Sequence, residues 1–105
     1  MHRYVVIPAY QPDERLVTLV RSLHRESRNP LEIVVIDDGS DASCKSVFEA
    51  LGSDALVLPH LVNQGKGVAL KTAFSYIREQ RTRGVVVTAD ADGQHTPEDI
   101  LRIGA

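Results

Sequence analysis

The chain is poor in the features that most quickly assign a small protein. It has a single cysteine, Cys44, which excludes an intramolecular disulfide framework and the Cys-rich zinc sites. It lacks a basic excess: 12 Lys and Arg stand against 14 Asp and Glu, a net charge of −2. Nucleic-acid binders usually carry a positive surplus, so no nucleic-acid partner is expected. No apolar run approaches the ~18 residues of a membrane-spanning helix. The apolar stretch after Met1-His2-Arg3-Tyr4 is too short for a secretory leader, and a cytoplasmic location is the expectation. Internal repeats, low-complexity tracts and linkers are also missing, so residues 1–105 read as one domain or a piece of one. Hydrophobic residues make up 43% and charged residues 25%, which excludes a disordered chain and suits a folded one.

What the chain does have is alternation. Four short apolar runs, Tyr4–Ile7, Ile33–Ile36, Ala55–Leu58 and Val85–Thr88, predict strands. Three are rich in Val and Ile without polar alternation, the pattern of parallel strands covered on both faces; Ala55–Leu58 is the weakest. Between them run helical stripes at i, i+3, i+4, i+7. These are Leu16, Leu19, Val20 and Leu23; Cys44, Val47, Phe48 and Leu51, with Gly52 as a stop; and Leu70, Ala73, Phe74 and Ile77. A fourth helix is signalled by Thr96 as N-cap, Pro97 at its first position, and Glu98 and Asp99 in its first turn. The order β-α-β-α-β-α-β-α predicts an α/β fold, an open and mainly parallel sheet with flanking helices.

Three polar clusters each follow a strand, where open α/β sheets bind their ligands. Asp90-Ala91-Asp92 places two carboxylates on one side of an extended segment. Their repulsion is relieved by an oxygen-seeking divalent cation such as Mg²⁺. Gln94 adds a neutral oxygen at the next same-side position, and Gly93 permits close backbone approach. A solvated loop with Asx turns is the bland alternative. In Asp37-Asp38-Gly39-Ser40-Asp41 a carboxylate could accept from a ribose hydroxyl or a base N–H, with Asp37 the better ligand and Asp41 the better helix cap. Pro8-Ala9-Tyr10 could wall a nucleobase, or simply leave a strand. Asn63-Gln64-Gly65-Lys66-Gly67 could offer backbone N–H groups and one Lys to a phosphate, although neither a G-x-G-x-x-G nor a G-x-x-x-x-G-K-[ST] pattern is present. His2, His24 and His60 read as surface residues, His95 as a neighbour of the carboxylate pair, and Cys44 as core.

Taken together, these segments resemble the inverting family-2 glycosyltransferases of the GT-A fold. The carriers are Val5-Val6-Ile7-Pro8-Ala9-Tyr10, Val34-Val35-Ile36-Asp37-Asp38-Gly39-Ser40, Asn63-Gln64-Gly65-Lys66-Gly67-Val68-Ala69-Leu70 and Ala89-Asp90-Ala91-Asp92-Gly93-Gln94-His95-Thr96-Pro97-Glu98. Within that family the last stretch is most similar to the polyprenyl-phosphate and dolichyl-phosphate sugar transferases. The resemblance implies the N-terminal, nucleotide-sugar-binding half of a GT-A Rossmann-like fold. It implies a UDP- or GDP-linked sugar donor, Mg²⁺ or Mn²⁺ as cofactor, and an acceptor such as a polyprenyl phosphate. By position, Pro8, Ala9 and Tyr10 would line the base pocket, Asp37 would contact base or ribose, and Asp38 would belong to the nucleotide-sugar site. Lys66 and Asp90 would contact the donor, and Asp90, Asp92 and Gln94 would hold the metal.

Two departures from the family pattern stand out. Many relatives continue with Tyr-Asn-Glu, whereas Tyr10 is followed by Gln11-Pro12-Asp13-Glu14; Asp13 or Glu14 would have to replace the acidic contact. The chain also ends at Ala105, before the acceptor site and general base of the family, so donor binding alone is expected and no base is named. Membrane association would then come from missing segments or the acceptor. An unpaired fourth strand would invite self-association. A non-catalytic nucleotide-binding or assembly module is the rival reading. A haloacid-dehalogenase-type phosphatase fits less well, because Asp-x-Asp follows the fourth strand and Gln94 stands after its Gly.

Overall fold

The computed structural model describes residues 2–80 and 84–91. Four strands, β1 (His2–Ala9), β2 (Glu32–Asp38), β3 (Leu56–His60) and β4 (Gly84–Thr88), alternate with three α-helices. The helices are α1 (Glu14–Glu26), α2 (Lys45–Leu51) and α3 (Lys66–Glu79), and short 3₁₀ turns at Ala42–Cys44 and Gly52–Asp54 flank α2. The predicted fourth helix lies outside the described residues, as do Asp92, Gln94 and His95.

All neighbouring strands are parallel, in the order β3-β2-β1-β4. The chain therefore winds outward from β1 through β2 to β3, then returns to the far side of β1 to lay down β4. Between β1 and β4 the winding reverses.

Strand alternation sorts the core into two layers. Val5, Ile7, Ala9, Ile33, Val35 and Val87 pack against Leu16, Leu19, Val20 and Leu23 of α1 and Leu51 of α2. Tyr4, Val6, Val34 and Ile36 face the other way, onto Ala69, Ala73 and Ile77 of α3. Because both faces are covered, β1 and β2 read as unbroken apolar runs. Asp13 starts α1: its carboxylate accepts from the Arg15 N–H at 2.9 Å.

The α3 stripe differs from the expected one. Its buried line is Ala69, Ala73 and Ile77, whereas Phe74 is 43% exposed. Two alanines four residues apart bring the helix backbone close to the sheet, which turns the next position, Phe74, outward. The weakest predicted strand is displaced by about one residue: β3 runs Leu56–His60 rather than Ala55–Leu58. It pairs only with β2, so it is an edge, and Pro59 is tolerated there because an edge strand can spare one N–H.

Candidate functional site

The carboxyl ends of β2, β1 and β4 lie side by side. Ala9 is in register with Asp37, and the Ala89 N–H donates to the Val6 carbonyl at 3.0 Å, which carries Asp90 alongside Pro8. The result is a cleft at the point where the winding reverses, the place such sheets use for ligands. One lobe of about 170 Å³ is lined by Pro8, Ala9, Tyr10, Asp38, Asn63, Gly65, Lys66 and Asp90. A second, of about 370 Å³, continues past Tyr10 and Asp90 along Gln11, Pro12, Asp13 and Arg15. Tyr10 is 58% exposed, so its ring is free to receive a flat partner.

Of the sequence-predicted residues, the structure gathers Pro8, Ala9, Tyr10, Asp38, Lys66 and Asp90 around one cleft. Asp37 is not among them. Successive strand residues point to opposite sides, and Asp37 lines a separate groove of about 410 Å³ beside Lys45, Phe48 and Val57. Its carboxylate accepts the Ser40 N–H at 3.0 Å, the Asx turn of a strand exit.

Asp38 is the buried polar hub of the described residues. Its Oδ1 accepts from the Gln64 N–H at 2.9 Å and lies 2.8 Å from His60 Nδ1. Its Oδ2 accepts from the Gly65 N–H at 2.9 Å and from Asn63 Nδ2 at 3.1 Å. Burial alone would raise this carboxyl, but the bonds from His60, Gln64 and Gly65 outweigh it and hold the group below its ordinary value. Two expectations are corrected here. His60 is not a surface residue: its side chain is 8% exposed. The Gln64 and Gly65 N–H groups are not available to a phosphate, because Asp38 already occupies them. Lys66 remains in that segment to meet an anion.

Gly39 explains how the hub closes. A Cβ there would stand 2.2 Å from the Asn63 nitrogen, and its φ is +76°. Only glycine lets the Val62–Asn63 backbone settle onto this turn. Gly65, at φ +96°, then swings the chain into α3.

Asp90 has a different environment. Its Oδ1 lies 3.1 Å from Lys66 Nζ, and the two side chains are 33% and 63% exposed. It is the described member of the expected metal set; Asp92 and Gln94 fall outside the described residues. Among the described residues no group of three His, Cys, Asp or Glu side chains gathers to hold a metal. Asp90 nevertheless fits the role of one hard ligand: it is a strand-end carboxylate, open to the cleft, with a cation already drawn to it.

Gln11 is a residue that sequence reasoning missed. It is the described non-glycine residue with positive φ, 51°. Its N–H donates to Ser40 Oγ at 2.9 Å, its Nε2 to Asp41 Oδ2 at 2.8 Å, and its Oε1 accepts the Asp41 N–H at 2.7 Å. Gln11 thereby ties the loop after β1 to the loop after β2. Asp41 consequently does not cap the helix with its side chain; bonds from Ser43 and Gln11 lower its pKa instead. Asp13 is engaged as the α1 cap, and the Arg15 side chain beside it holds its carboxyl below the ordinary range. The sequence signal for Gln11 was only its place after Tyr10.

A parallel sheet wound in this order, with a polar cleft at its switch point, defines a Rossmann-like α/β domain. Residues 4–103 match the model of Glycosyl transferase family 2. The chain belongs to that family. It is 31% identical over 100 residues to an uncharacterized protein of Methanocaldococcus jannaschii, covering 95% of this chain and 39% of that one. It is 33% identical over 108 residues to the undecaprenyl-phosphate 4-deoxy-4-formamido-L-arabinose transferase of Pseudomonas fluorescens, covering 96% and 31%. The solved mannosyltransferase PcManGT from Pyrobaculum calidifontis, in complex with GDP-Man and Mn²⁺, superposes with a TM-score of 0.68 at 26% identity, over 86% of this chain and 27% of that one. The chain thus spans between about a third and two fifths of the length of these curated relatives. The GT-A type of sheet expected from the resemblance is the sheet observed. No described helix is long and apolar enough to cross a membrane.

Proposed function

We propose that the chain is the donor-binding part of a family-2 glycosyltransferase, taking a UDP- or GDP-linked sugar in the cleft between β1 and β4. The observation that carries this reading is the meeting of Tyr10, Lys66 and Asp90 at the switch point. In it the Tyr10 ring and the Pro8–Ala9 backbone form the wall for the base. Asp38 stands at the cleft wall with its oxygens engaged, so it shapes the pocket. The Lys66 ammonium leans toward the diphosphate. Asp90, together with Asp92 and Gln94 from the following segment, would hold Mg²⁺ or Mn²⁺. When bound, the ion neutralises charge developing on the nucleoside diphosphate as it leaves. Transfer would proceed with inversion at the anomeric carbon to an acceptor of the polyprenyl-phosphate class, the class named for the Pseudomonas relative. No residue of this chain is assigned as the general base.

Calorimetry with UDP and GDP, with and without Mn²⁺, tests the reading. Metal-dependent binding that disappears in Asp90→Ala and Asp92→Ala supports it. A folded chain that binds neither nucleotide overturns it. The same reading includes self-association through β4, which has no neighbour beyond it among the described residues; a monomer by light scattering at high concentration would remove that element.

A further inference from the structure

Asp38 joins His60 and Thr72 in a part-buried chain of contacts, and donor binding leaves the imidazole and the hydroxyl without a role. His60 Nδ1 lies 2.8 Å from Asp38 Oδ1, and Nε2 lies 2.8 Å from Thr72 Oγ1. Acid, imidazole and hydroxyl in this order have the outline of a hydrolytic triad. Neither His60 nor Thr72 lines any of the three clefts described above, however. The Thr72 hydroxyl also reaches the Val68 carbonyl at 3.1 Å. A nucleophile needs a free side, and this hydroxyl is already engaged by the imidazole and the Val68 carbonyl.

The chain of contacts leads toward the cleft instead. Both ring nitrogens of His60 are occupied, so the imidazole is pinned between β2 and α3. Its Asp38 partner holds Asn63, Gln64 and Gly65, and Lys66 follows directly. Helix α3 is therefore fixed to the sheet at two heights, by Thr72 in its body and by the loop that leads into it. Together these attachments set where Lys66 stands relative to Asp90. We propose that His60 is a positioning residue of the nucleotide-sugar site. It acts through Asp38 to hold the 63–66 segment at the cleft and touches no ligand itself. This rests on the donor-cleft reading given above.

The test compares the 105-residue chain with His60→Leu, His60→Gln, Thr72→Val and a core control, Val20→Ala. Two quantities are read: amide hydrogen exchange at Gln64 and Gly65, and UDP or GDP affinity with Mn²⁺. His60→Leu is expected to speed exchange at the two amides and to weaken nucleotide binding, each by about tenfold. His60→Gln keeps a donor for Asp38 and should recover most of both. Val20→Ala should lower the melting temperature and move neither. His60→Leu with both quantities at the wild-type level overturns the proposal, as does a loss no greater than that of Val20→Ala. If His60→Leu fails to fold, Thr72→Val decides on the same two readouts, with an expected change of about threefold. A wild-type chain that binds neither nucleotide defeats the donor reading and the site role together, whereas the exchange rates separately decide whether His60 holds the loop.

Discussion

Asp38 ends β2 and Asp90 lies two residues past β4, the two strands that flank β1, and they live in opposite circumstances. Asp38 is buried and engaged by four donors from one loop and one imidazole. Asp90 is one-third exposed and has a single ammonium beside it. A carboxylate fully satisfied from within builds the scaffold, because moving any donor strands a buried charge. A carboxylate with one removable partner can exchange that partner for a ligand. The two strands on either side of β1 thus divide the work of shaping a cleft and of filling it.

The sharpest way to break this contrast is to delete both acids in turn. Asp38→Ala should cost about 3 kcal/mol of folding stability in urea, since it leaves several buried donors unmatched. Asp90→Ala should cost less than about 1 kcal/mol, the range of partly exposed pairs. Equal losses would erase the distinction. Gly39→Ala belongs on the scaffold side: its Cβ would collide with the Asn63 nitrogen, and a loss of about 2 kcal/mol is expected in the same experiment. Tyr10→Ala belongs on the ligand side. It should leave stability unchanged and weaken UDP or GDP binding about tenfold, the scale of a lost stacking contact.

Acid should reveal the smallest effect and a sign. Asp38 is held below its ordinary value of 3.8, so the folded state binds its proton less readily than the unfolded chain. The stability it contributes is full above that value and falls as pH drops through the lowered one. Asp38→Asn should lose this part of the acid sensitivity, whereas Asp90→Asn should retain it.

Much of the fold was legible because its causes are local. Val and Ile runs covered on both faces announced β1 and β2, and the Leu16–Leu23 spacing announced α1. The placement of α3 was less so: its stripe contained Phe74, but packing selected Ala69 and Ala73, whose small size sets the helix-to-sheet distance. The cleft residues Pro8, Ala9, Tyr10 and Asp90 were legible as strand-end clusters, and Lys66 as the cation of the segment that opens α3. The Asp38 hub was not, because its partners lie 22 to 27 residues away and no periodicity links them. The sequence favoured Asp37 as the ligand, but the pleat of β2 sends Asp38 toward the cleft and Asp37 away.

The sheet has two dissimilar margins. Along β3, Pro59 offers no N–H, so this margin is a poor template for another strand. Along β4, Gly84-Val85-Val86-Val87-Thr88 contains no proline, so the N–H groups that alternate away from β1 are all present. A further strand would therefore be received on the β4 side, which has no neighbour beyond it among the described residues. Two copies meeting there about a two-fold axis would hide both receptive margins and leave two blunt ones outside. Assembly of that kind terminates at a pair instead of propagating into a fibre.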